Sequence, residues 1–80
     1  MTTVSIDQRM ALDLVESRLK QVNDQVAAIL ERWHQDSAVE MIERTRKGKL
    51  PEAEIDAIAL TNLLEKREQL EGLLKEVVAN

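Results

Sequence analysis

Arg44-Thr45-Arg46-Lys47-Gly48-Lys49-Leu50-Pro51-Glu52 is the stretch on which the fold turns. Arg44, Arg46 and Lys47 gather where the carbonyl end of a helix dipole attracts cations, and Gly48 accepts the left-handed backbone that stops a helix. Pro51 suits the first position of a new helix, because the N–H it lacks would find no partner there. Glu52 and Glu54 favour the positive end of that helix. One helix therefore ends near Lys47 and another begins near Pro51.

Upstream of this turn the pattern is that of a bundle helix. Apolar residues fall at Leu12, Val15, Leu19, Val22, Val26, Ile29 and Trp33, with steps of three and four in alternation. Glu16 and Lys20 stand one turn apart on the polar side. Ser5 with Gln8 forms a capping-box pattern that predicts the helix start. The seam fails at Asp36 and Glu40 and resumes out of phase at Met41 and Ile42. No Gly or Pro forces a break there, so the spacing predicts a continuous helix over about 5–47. Ser37 with Glu40 is a second capping-box pattern, and it leaves open a break near Asp36 followed by a short helix over 38–47.

Downstream, Leu60, Leu63, Leu64, Leu70, Leu74 and Val77, with Ile55 and Ile58 near the turn, predict the apolar face of a second helix over about 51–78, with Arg67 interrupting its stripe. The expected fold class is all-α, an antiparallel helical hairpin with a long first arm and a shorter second. Folding about the turn brings Arg67 close to Glu31, an ion pair across the hairpin.

Length then argues for association. A helix over 5–47 extends ~65 Å and one over 51–78 only ~42 Å at 1.5 Å per residue. The second arm ends near Lys20, which leaves Met10, Leu12, Leu14 and Val15 without cover. Burying such side chains is worth ~1.5–3 kcal/mol each. Two hairpins joining into a homodimeric four-helix bundle would cover them. Another protein's helix in the same groove would do so too, and a break near Asp36 would instead give a monomeric three-helix bundle. The residues expected to carry association are Met10, Leu12, Val15, Leu19, Val22, Val26, Ile29 and Trp33.

Composition narrows the function. The chain has 80 residues, two Gly, one Pro, no Cys and a single aromatic, Trp33. One small domain built from aliphatic side chains follows. The lack of Cys removes disulfides and thiolate metal sites, and with no apolar N-terminal run it suggests a cytoplasmic protein. A net charge of −4 opposes general nucleic-acid binding. No apolar run approaches the ~18 residues of a membrane span. A lone His and no Gly-rich strand-to-helix turn argue against nucleophilic and nucleotide chemistry. No catalytic group, metal or cofactor is therefore assigned. The expected function is a non-enzymatic protein–protein interaction module, such as an adaptor, small chaperone or inhibitor.

Several clusters carry other readings. Glu31 and His34 have the Glu-x-x-His spacing of carboxylate-bridged metal sites in helical bundles, with Glu65 or Glu68 as a further ligand. An ordinary boundary histidine beside Trp33 explains the same residues. The basic group at 44–49 could hold a phosphate or an acidic partner, or simply offset a helix end. Trp33, Met10 and Met41 could anchor a partner or fill the core. The stretch Val15–Arg32 resembles the long first helix of the all-helical chorismate mutases, which would imply Arg18 and Arg32 as substrate-binding cations. The further basic and polar residues of that family's pocket have no counterpart downstream. Gly48–Glu52 and the chain length are also similar to the small helical co-chaperones of type III secretion needles.

Overall fold

The computed structural model describes residues 2–79, and side chains from Asp7 to Ala79. All regular structure among them is helical: α1 (Thr2–Arg32), α2 (Ala38–Arg46), a single 3₁₀ turn at Pro51–Ala53, and α3 (Glu54–Ala79). The first helix of about 5–47 expected from the spacing is thus two helices. The helix begins before Ser5, whose side chain lies outside the described residues. Gln8 does not cap it; its Nε2 donates to the carbonyl of Val77 at 2.7 Å.

The break at 33–37 has a local cause. His34 takes a left-handed backbone, φ 54°. The N–H of Gln35 then reaches back to the carbonyl of Leu30 at 2.8 Å, and that of His34 to Glu31 at 3.2 Å. These two bonds form the Schellman stop, here with His where Gly is usual. Ser37 restarts the chain from extended backbone, φ −140° and ψ 133°, and its hydroxyl oxygen accepts from the N–H of Glu40 at 3.3 Å. The helix-start signal at Ser37 was therefore real. Gln35 ties the connection down, donating to the Trp33 carbonyl at 3.0 Å and accepting from Arg44 Nη1 at 2.7 Å.

Breaking there rather than continuing relieves the phase error of the seam. A straight helix would aim Asp36 and Glu40 at the core. Turning the chain brings Met41 inward instead, where it is completely buried. The next stop repeats the first: the N–H of Lys49 bonds to Arg44 at 2.8 Å and that of Gly48 to Thr45 at 3.1 Å, with Gly48 at φ 78°. The turn at 44–52 is built as its residues predict.

Removing α2 from the long arm changes the register of what remains. Gln8 meets Val77, Asn23 meets Arg67 and Arg32 meets Asp56, so α1 and α3 lie side by side and run in opposite directions. Arg67 Nη1 reaches Asn23 Oδ1 at 3.4 Å, so the expected pair with Glu31 does not form. The shift carries α3 along α1 as far as Gln8. Leu12 and Val15 are half-buried, which overturns the expectation of an uncovered overhang at those two residues. Met10 and Leu14 remain 58% and 69% exposed.

The core is small. Val22, Val26 and Ile29 of α1 pack with Met41 of α2 and with Ala53 and Leu60 on the α3 side. The molecule is a rod of 56 × 18 × 17 Å.

Candidate interaction surface

Trp33 and Arg32, the last residues before the break, close on one carboxylate at the start of α3. Trp33 Nε1 donates to Asp56 Oδ2 at 2.7 Å, and Arg32 Nη1 donates to the same oxygen at 2.9 Å. Trp33 is half-buried against the core cluster. The indole N–H, foremost, and the Arg32 guanidinium hold the Asp56 carboxyl below its ordinary value of 3.8, against a smaller opposing effect of burial. This clasp fixes the relative position of α1 and α3 at the end where α2 crosses.

Beside the clasp, a groove of about 580 Å³ runs along one side of the α1–α3 pair. Ala28 and Ile29 of α1 and Ala59 and Leu63 of α3 are its apolar lining, and Gln25, Arg32, Asp56, Asn62 and Lys66 make up the rest. A second groove of about 380 Å³ lies between α2 and α3, lined by Ile42, Pro51 and Ile58, with Arg46 and Glu54 across it. The two grooves share no residue, so they open on different sides of α3. Both are broad, open clefts.

The residues expected to carry association divide three ways. Val22, Val26 and Ile29 are buried inside the chain, while Leu12, Val15, Leu19 and Trp33 are half-buried. Met10 is exposed. Counting the seam did not find the outer apolar positions Val39, Leu73 and Val78, and Ile55 and Ile58, expected on the apolar face of the second helix, are exposed, Ile55 the barest at 81%. Asp56 was missed too, because its acceptor role depends on the register set by the break.

The basic turn is largely engaged locally. Arg46 Nη1 and Lys47 Nζ lie 3.5 and 3.7 Å from the Glu43 carboxylate, and Arg44 Nη2 lies 3.8 Å from Glu40. Exposed pairs of this kind contribute little to stability. They do account for the cations as helix-end compensation. His34 stands outside α1, so Glu31 and His34 do not share a helix face. Among the described residues no group of three or more His, Asp or Glu side chains is placed to hold a metal ion. Arg18 is exposed far along α1 from Arg32, ~21 Å away at 1.5 Å per residue. Within one chain the two cannot close on a single small anion. Among the described residues no helix is long and apolar enough to cross a membrane.

No protein-family model, curated protein or solved structure matches this chain.

Proposed function

We propose that this chain is a non-enzymatic protein–protein interaction module that works by helix-on-helix packing and associates with itself. The observation that supports the reading is its surface. The chain exposes 6206 Å². A compact monomer of 9.1 kDa exposes about 4,900 Å² by the usual scaling. The excess goes with the elongated shape, and part of the surface is apolar: among the described residues Leu14, Ile55, Ile58 and Leu73 are all exposed.

Shape agrees with surface. The radius of gyration is 16.2 Å, against about 12 Å for a globular chain of this length. The break near Asp36 is the condition for a monomeric three-helix bundle, but α2 adds only Met41 to the buried cluster, and a core this thin with no Cys to staple it is the kind that gains most from a partner. Two such hairpin-like pairs packed face to face make a four-helix bundle. A cytoplasmic setting goes with the reading, since a chain without Cys has no disulfide to form.

Light scattering across protein concentration tests this. A mass twice that of the chain, or one that climbs to it with concentration, is expected. A mass of one chain at every concentration would rule out self-association and leave a helix of another protein as the occupant.

A further inference from the structure

We infer that two copies meet across the open side of the α1–α3 pair, head to tail, so that Leu14 and Leu73 of each copy seat against Ala28 and Ala59 of the other. The inference rests on the self-association proposed above and names the surface that carries it.

Two heptads separate Leu14 from Ala28, and two separate Ala59 from Leu73. Positions a heptad apart share a helix face in a bundle. Leu14, Gln21 and Ala28 therefore form one column on α1, and Ala59, Lys66 and Leu73 one column on α3. Ala28, Ala59 and Lys66 all line the same groove, so both columns lie on that side of the pair. The antiparallel register, with Arg32 at Asp56 and Gln8 near Val77, sets Leu14 level with Leu73 and Ala28 level with Ala59.

The face thus has a bulky end and a hollow end. Leu14 and Leu73 stand 69% and 47% exposed at the first. Ala28 and Ala59 leave the groove between Ile29 and Leu63 at the second. The distance between the ends is ~21 Å on both helices. A two-fold axis across the helices, in the plane of contact and level with Gln21 and Lys66, lays each bulky end in the other copy's hollow. Such a contact is self-complementary and closed, as a symmetric dimer requires. Large residues then face small ones, so the four helices keep an even separation.

Charge is compatible with this arrangement. Arg32 is neutralised by Asp56 within its own chain. The Lys66 side chains of the two copies meet near the axis, where their flexible stems swing the ammonium groups out to water. The basic turns are carried to opposite ends of the dimer. On the other side of α3, α2 already covers part of the pair.

Light scattering and oxidative cross-linking on the full chain test this together, with circular dichroism to confirm that each variant is folded. Leu14→Glu with Leu73→Glu changes only exposed positions and is expected to weaken the dimer at least about thirtyfold, as loss of apolar anchors seated in a partner's hollow does. Val39→Glu, on α2, should leave the mass unchanged. The chain has no Cys of its own, so Gln21→Cys reports its neighbours cleanly, and a covalent dimer of that single variant is expected. A folded double variant that still dimerises like the native chain would overturn this surface and leave self-association standing. Linking that appears only when Gln21→Cys is mixed with Lys66→Cys would overturn the head-to-tail order. A native chain that never exceeds one mass would overturn the proposed function and this inference together.

Discussion

Two residues hold the same unusual backbone for the same purpose. His34 and Gly48 each sit one position past a helix end with positive φ, 54° and 78°, and each closes the same pair of backbone bonds. Glycine adopts that conformation without a Cβ clash, whereas other residues lose about 1–2 kcal/mol. His34→Gly should therefore stabilise the fold by about 1 kcal/mol, after the extra freedom of Gly in the unfolded chain is counted. Gly48→Ala should destabilise it by about the same amount. An added Cβ at Gly48 meets nothing within 4 Å, so the cost there is conformational and not steric. Urea midpoints at one protein concentration, with slopes unchanged, would measure both. Equal shifts of one sign for both variants would refute the account of His34 as a stand-in for Gly.

At the scale of elements, that substitution explains what could and could not be read from the residues alone. The turn at 44–52 was legible because Gly48 and Pro51 are the residue types that such a turn demands. The break at 33–37 was half-legible: Ser37 with Glu40 announced a helix start, but the stop before it lacked the usual Gly. Once α2 leaves the long arm, every pairing between α1 and α3 moves. Arg67 then meets Asn23, and Asp56 meets Trp33, contacts that no counting along either helix alone would give. The same holds for the grooves, which exist only in the final register.

The joint between α1 and α3 carries its own pH signature. Asp56 is held below its ordinary pKa of 3.8, first by the Trp33 N–H and then by Arg32. A group whose folded pKa is depressed contributes stability that is fully present above its unfolded value and fades as pH falls through the folded one. Acid should therefore loosen the native chain below about pH 4. Asp56→Asn should lack that part of the acid dependence, because an amide does not titrate. Stability followed by denaturant titration between pH 6 and pH 3 would show it. Curves for the two proteins that stay parallel throughout would remove Asp56 from the explanation.

The molecule as a whole is thin for its mass, and thinness has a thermodynamic consequence. If association supplies cover that the small core lacks, melting must depend on concentration, since mass action favours the assembled native state. For a dimer of this size the melting temperature should rise by about 4 °C per tenfold increase in protein, taking ~0.7 kcal/mol of unfolding enthalpy per residue. Calorimetry over two decades of concentration would check it. A melting temperature that does not move belongs to a chain that stands alone.

Trp33 is the sole aromatic side chain in the sequence, and its indole nitrogen lies at the joint itself, 2.7 Å from Asp56. The intrinsic fluorescence of the protein is consequently a local signal. No tyrosine contributes background and no second indole dilutes the response. Emission colour and quenching report one point in the structure, where the end of α1 meets the beginning of α3. Opening of that joint, by acid, by denaturant or by a partner, would be visible in the unlabelled native chain in real time, while events at the far end of the rod would pass unseen.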